Sequence, residues 1–151
     1  MIESVINTPI VLTSNSNVVT FPTDDYRSRS ANCCGWLQHT QGSPLYKILQ
    51  GGTYEIDLSA VVTSATAGIV ALGLYEDGIL IPNTISAETL TAAGDLANIS
   101  FNKKIRVCCK ANTTLTIASV PSVNAGATGT TATDTQIPII TNAIFNISKE
   151  A

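Results

Sequence analysis

Four cysteines, arranged as two adjacent pairs, are the side chains in this sequence with the widest range of chemistry. Cys33 and Cys34 form one pair, and Cys108 and Cys109 form the other. Thiolates bind zinc and iron–sulfur centres, but neighbouring side chains on a strand point to opposite faces, so an adjacent pair does not easily place both sulfurs on one ion. Free, partly buried thiols are therefore favoured over disulfides between the two pairs, within one chain or between subunits, and over a metal site.

The single histidine, His39, lies between Gln38 and Thr40. No neighbouring carboxylate or thiol motif accompanies it, so a hydrolase triad has no support in the sequence, and we expect a surface histidine. Asp24-Asp25 and Asp77 are conceivable calcium ligands, but neither site lies in a loop of regularly spaced oxygens. We assign no catalytic residue, no metal and no cofactor, and we expect a protein that is not an enzyme.

Aromatic residues are few: one Trp, four Tyr and three Phe. Trp36 and the tyrosines could line a carbohydrate-binding groove. With so few rings, buried packing is the more usual role, and we predict it for Trp36.

Charged residues make up only 13% of the 151 residues, against about 25% in a typical soluble domain. The chain is 44% hydrophobic and has a net charge of −3, which argues against binding to nucleic acid by phosphate neutralisation. No apolar run approaches the roughly 20 residues of a membrane span, and the first residues lack the features of a signal peptide. We expect a soluble, one-domain protein made in the cytoplasm.

The elements that must position these residues are short β-strands. Residues 53–62 and 99–109 alternate apolar and polar side chains, as half-buried strands do. Asp77-Gly78 predicts a tight hairpin between residues 68–76 and 79–81. Residues 121–136, rich in Gly, Ala, Thr and Ser, are predicted to be a loop, and residues 141–148 form the final strand.

This pattern predicts an all-β fold, an antiparallel two-sheet jelly-roll sandwich, because about eight to ten short strands follow one another with turns and no convincing helix. We divide the chain into an N-terminal arm with one or two short strands, residues 1–31, and a jelly-roll domain, residues 32–151.

Charges are missing from two long stretches. Residues 58–75 contain none, and residues 111–148 contain only Asp134. Strands of a monomer usually carry charges on their solvent faces and edges, whereas interfaces between subunits are depleted in them. Oligomerisation explains the gaps, and an uncharged Thr/Ser/Asn surface is the alternative.

Four segments occur in an order that resembles a known family: residues 51–56 (GGTYEI), the hairpin 72–78 (LGLYEDG), 105–107 followed by 112–117 (IRV, NTTLTI), and 142–147 (NAIFNI). Together they resemble the tumour-necrosis-factor-like and complement-globular-head jelly rolls, especially the bacterial and phage versions at the tips of fibres and collagen-like stalks. The resemblance implies three copies around a three-fold axis. It places seven residues or, for the first three, their opposite-facing neighbours near the subunit contact, with burial in the core of one chain as the alternative: Tyr54, Ile56, Leu58, Phe101, Ile105, Phe145 and Ile147.

The resemblance, the uncharged composition and the absence of an enzyme motif lead to a functional hypothesis. We expect a homotrimeric structural protein of a phage virion, a capsid decoration or head-fibre protein on the capsid exterior. It would bind the major capsid protein through the N-terminal arm or the trimer base. The alternative is a carbohydrate- or receptor-binding head domain of a fibre or bacterial surface protein, with a surface glycan as its partner.

Overall fold

The computed structural model describes residues 1–27, 35–108, 112–123 and 133–150. The regular secondary structure in these ranges consists of β-strands. These ranges contain no helix that is long and apolar enough to cross a membrane. The strands, in chain order, are β1 (Ile2–Ile6), β2 (Ile10–Val11), β3 (Thr23–Arg27), β4 (Leu37–His39), β5 (Tyr46–Ile48), β6 (Gly52–Thr63), β7 (Gly68–Glu76), β8 (Ile79–Leu80), β9 (Ser86–Leu90), β10 (Ala97–Val107), β11 (Thr113–Ser119), β12 (Ser122–Val123), β13 (Thr133–Asp134) and β14 (Ile139–Lys149).

The first sheet has the strand order β10-β6-β14-β1-β3, and β2 pairs with one end of β14. The β6–β10 ladder continues without a register shift from Gly52↔Val107 to Val62↔Ala97. On the other side of β6, β14 pairs with β6 and also with β1. The first and last strands of the chain are therefore neighbours in the interior of this sheet.

The second sheet has the order β4-β5-β11-β7-β8, and β9 pairs with β7. Its hairpin follows from Asp77-Gly78, whose φ angles of 50° and 80° are those of a tight two-residue turn. The turn pairs Tyr75 with Leu80 and Glu76 with Ile79. The predicted hairpin is confirmed.

The core lies between the two sheets, because every second side chain along their strands points inward. Tyr54, Ile56 and Leu58 of β6 point inward and are at most 1% exposed. From β14, Phe145 stacks on Phe21 at 5.4 Å between ring centroids and meets Tyr46 of the second sheet edge-on at 5.0 Å. Full burial of each such side chain contributes about 1.5–3 kcal/mol.

Pairing between the strands that the structure describes is antiparallel, which confirms the predicted two-sheet antiparallel sandwich. The strand predicted at residues 99–109 is β10, which ends at Val107. The prediction of a simple loop over residues 121–136 is wrong, because β12 and β13 pair with each other there. Residues 124–132, between them, lie outside the described residues.

The expected N-terminal arm is part of the sandwich, which corrects the division at residue 31. β1 lies between β14 and β3, and Ile2 and Ile6 belong to the core cluster. Val19 and Phe21 are also buried there. The apolar side chains of residues 1–27 therefore stabilise the fold instead of leaving a free arm, while the boundary itself falls outside the described residues.

Replacing Ile6 with alanine tests this placement. Because Ile6 is fully buried, Ile6→Ala should lower the free energy of unfolding by about 2–5 kcal/mol in urea denaturation. The matched control is Ile79→Ala at a side chain that is 74% exposed, which should change it by less than about 0.5 kcal/mol. If both variants changed the free energy of unfolding by equally small amounts, residues 1–27 would be better described as a free arm.

Candidate functional site

The first sheet packs one face on the core, and most side chains on its other face are at least partly exposed, although Val5 on that face is only 5% exposed. We call the outward-pointing residues of β10, β6, β14, β1 and β3 the open face. Residues that are register partners across the five strands form two rows in the middle of this face. In the strand order just given, the first row is Asn102, Asp57, Asn146, Glu3 and Tyr26. The second row is Ser100, Ser59, Ile144, Val5 and Thr23.

Apolar and uncharged side chains dominate one half of the open face. Ile144, on β14 in the interior of the sheet, is 47% exposed, and its register partner Ser59 carries no charge. Beside the open face, at the same end of the sheet, Val11 on β2 is 66% exposed, and Leu96, which directly precedes β10, is 67% exposed. This half presents apolar surface to solvent where an isolated sheet would normally carry charges.

Asn146 occupies the centre of the open face with an unusual environment. Its Oδ1 atom is buried and has no hydrogen-bond partner among the described residues. Its register neighbours are Glu3 and Asp57, whose ionised carboxylates accept hydrogen bonds and cannot donate one to Oδ1. A buried acceptor left unpaired costs free energy, and a donor from outside the chain would remove that cost.

A polar cluster inside the sandwich holds the histidine. Asp24 on β3 accepts hydrogen bonds from the Ser4 hydroxyl on β1, at 2.5 Å, and from the Arg27 guanidinium. Its Oδ2 atom also lies 2.9 Å from Nδ1 of His39, which belongs to β4 in the other sheet. The cluster therefore links the two sheets at the β1–β3 side.

The expectation of a surface histidine is wrong. The side chains of His39 and Asp24 are both fully buried, and the imidazole stacks on Tyr46 at 3.8 Å. The His39 Nε2 atom faces the backbone carbonyl of Ser43 at 3.0 Å, so both ring nitrogens have oxygen acceptors as neighbours. Asp24 lies 15 positions away in the chain, while Ser43 lies only four positions away, and no local motif signals the contact with Asp24.

This cluster has the residue types of a hydrolase triad without its geometry. The Ser4 hydroxyl donates to Asp24 and not to the imidazole, so the contact between serine and histidine that a triad requires is absent from this cluster. Burial raises the pKa of Asp24, but the hydrogen bonds from Ser4, His39 and Arg27 outweigh that effect and hold it below its ordinary value. The arrangement keeps Asp24 ionised and positions β1 and β3 against the second sheet.

The candidate interface residues lie mostly in the core of a single chain. Phe101 is partly buried and packs against that core. The other six are at most 8% exposed: Tyr54, Ile56, Leu58, Ile105, Phe145 and Ile147. These six side chains point to the inner side of the sheet, which is the core placement that the sequence analysis named as the alternative. Their opposite-facing neighbours form the open face.

Of the cysteines, Cys108 is an exposed free thiol. Cys33, Cys34 and Cys109 lie outside the described residues, so the pairing alternatives stay predictions. Trp36 is 4% exposed and packs on Tyr54 at 5.6 Å, which confirms its predicted burial. In the described ranges, no three His, Cys, Asp or Glu side chains are grouped to hold a metal.

Acid titration of stability tests the role of Asp24. Because its pKa is lowered in the folded state, the stability it contributes is complete above the ordinary value of 3.8 and is lost as the pH falls through the folded value. Asp24→Asn should cost about 3–5 kcal/mol at pH 7, since it leaves buried donors without their anion. It should also flatten the loss of stability below pH 4, as followed by urea denaturation.

The exposed carboxylate Asp134 provides the control, because Asp134→Asn should leave both the stability and its acid dependence nearly unchanged. If the stability of the wild-type protein and that of Asp24→Asn fell in parallel as the pH is lowered, the assigned role of Asp24 in stability would be contradicted.

Comparison with known proteins finds no matching family model and no matching curated protein. Among solved structures, the chain is similar to the globular domain of the zebrafish complement 1qA protein. The TM-score is 0.64 at 11% sequence identity, over 99% of this chain and 96% of that chain. This likeness confirms the predicted jelly-roll fold, which is of the complement-globular-head type, and at this identity it shows the fold alone.

Proposed function

We propose that this chain is a non-enzymatic head domain that acts as a homotrimer, with the open faces of three copies packed around a three-fold axis. The observation that carries the proposal is the centre of the open face, where half-exposed Ile144 lies two positions from Asn146, whose Oδ1 atom is unsatisfied among the described residues. A covering subunit would remove the apolar side chain from water and could supply the missing donor. The jelly-roll likeness supports the same arrangement.

Covering the part of this face around Ile144 costs little, provided that Asp57 and Glu3 in the neighbouring row stay hydrated or gain partners. Full burial of an isoleucine side chain contributes about 1.5–3 kcal/mol relative to full exposure, and Ile144, which is 47% exposed, would gain part of that in each of three copies. Ser59 and Ser100 beside it are uncharged, so their desolvation costs less than that of ionised groups and is offset by hydrogen bonds. Large homomeric interfaces are depleted in charge in the same way.

A lysine at position 144 tests the proposed contact. Ile144→Lys should convert the trimer to monomers in sedimentation velocity, because it would bury an unpaired charge near the axis. The monomer should keep its fold, since Ile144 is already half exposed. Ile79→Lys, at an exposed position of the second sheet, is the control and should stay trimeric. An unchanged mass for both variants would exclude the open face as the contact.

We further propose, as the more specific hypothesis, that the trimer decorates the exterior of a phage capsid. Its support is the low charge content and the resemblance of the sequence segments to phage jelly rolls. Residues 1–27 are built into the sandwich, so attachment to the major capsid protein would use the trimer base in place of a free arm. The alternative remains a head domain that binds a surface glycan or receptor.

Binding to capsids separates these two functions. If the protein decorates a capsid, capsids that lack it should bind purified protein on co-sedimentation and saturate at a multiple of three copies per site. Ile144→Lys should bind much more weakly, because monomers lose the combined contacts of three copies. A head domain would instead remain in the supernatant and bind a glycan array, which would contradict decoration.

A further inference from the structure

We propose that Lys103 prevents the outer edge of β10 from pairing with the same edge of a second copy of this chain. The inference concerns the edge of the first sheet and not its open face, so it does not depend on the homotrimer proposed above. It assigns a role to a charged side chain that points to the inner side of the sheet.

β10 offers the longest regular edge of the first sheet. It is the outermost strand on its side, and its ladder with β6 runs over eleven residues without a register shift. The opposite outer strand, β3, has five residues, follows Pro22 and pairs with β1 through a shifted register. Short and irregular edges resist pairing with foreign strands, whereas a long regular edge presents a row of unpaired backbone groups. β10 is therefore the edge that needs protection.

The first half of β10 carries no charge. Residues 97–102 read ANISFN, and Leu96, which directly precedes them, is exposed. Ile99 is fully buried, and Phe101 packs partly buried against the core. An uncharged segment with apolar side chains on one face is prone to edge-to-edge association when nothing blocks it. Lys103, the next residue after this segment, is the first charge on the strand.

Lys103 lies on the inner side of the edge. Its register partner on β6 is Ile56, which is fully buried, and Phe101 and Ile105 lie on either side of it along the same face. Lys103 itself is partly buried, which fits a flexible stem that follows apolar surface while the ammonium group reaches water. Among the described residues it forms no ion pair and no side-chain hydrogen bond.

The other charges near this row do not play the same part. Glu55 and Asp57 alternate with Ile56 along β6 and therefore point to the open face, away from the Lys103 side chain. At the far end of the row that contains Lys103 and Ile56, β3 contributes Arg27, and this cation pairs with Asp24. Lys103 is thus an inward cation without a counter-charge in the part of the chain that the structure describes.

A strand added beside β10 would bury this cation. Its inward side chains would lie next to Lys103, on the side where β9 of the second sheet approaches β10. The ammonium group would lose water without gaining an anion, which is strongly unfavourable. Lys104 and Arg106 alternate with Lys103 and point to the open face, so they would stay hydrated when an edge is added. The inward charge is therefore the specific obstacle to pairing.

Uncharged variants of Lys103 test this role. Lys103→Met nearly keeps the length of the side chain and removes its charge, and Lys103→Val introduces a residue that favours strands. In sedimentation velocity, both should form species heavier than the wild type at protein concentrations roughly tenfold or more below any at which the wild type forms them, because pairing no longer buries an ammonium group. Lys103→Glu should keep the wild-type mass, since a buried carboxylate is equally unfavourable.

Lys104→Met is the matched control, because it removes one positive charge from the opposite face of the same strand and should keep the wild-type mass. Hydrogen exchange locates the new contact: backbone amides of β10 should exchange more slowly in the heavier species than in the wild type. Circular dichroism checks the fold of each variant, and the two uncharged variants serve as replicates of each other.

Three results would overturn the inference. They are a wild-type mass for the uncharged variants, heavier species that also form with Lys103→Glu or Lys104→Met, and heavier species without slower exchange in β10. Every mass is compared with that of the wild type. A monomeric wild type would therefore overturn the homotrimer and leave the test of Lys103 unaffected.

Discussion

The position of β14 in the interior of the first sheet is the constraint on which the rest of the structure depends. It pairs with β6 on one side and with β1 on the other, so residues from the beginning, middle and end of the chain form one ladder. Because side chains alternate along a strand, β14 sends Phe145 and Ile147 into the core and Ile144 and Asn146 to the open face. A one-residue slip would exchange these two sets, so the core packing also determines the surface offered to other molecules.

The scarcity of charge has two different causes in the two stretches that lack it. Residues 58–75 include most of β7, where Val70, Ala71, Leu72 and Leu74 are buried within the chain itself. Residues 111–148 include β14, whose outward side chains are accessible in the single chain and uncharged. The β7 part of the first gap therefore needs no partner, while Ser59 in the same gap belongs to the open face. The second gap, with exposed Ile144 at its centre, is what supports covering by other copies.

The alternation of apolar and polar residues predicted those strands and turns that are determined by residues adjacent in the sequence. The alternation of β6 and β10 and the Asp77-Gly78 turn are visible in adjacent residues, and the structure contains them. The role of residues 1–27 was missed because the partner of β1 lies at the far end of the chain. The candidate interface residues were left between the two sides of the sheet, since alternation identifies two faces without saying which one the core covers. The His39–Asp24 contact joins two sheets and has no signature in either strand.

The mass of the unmodified protein in solution tests the central claim most directly. Light scattering over a range of protein concentrations should give three times the chain mass of 15.8 kDa, with the value constant until dilution dissociates the trimer. A mass of 15.8 kDa at every concentration would mean that the open face is simply a solvated surface, and it would contradict the account of β14 as the strand around which three copies assemble.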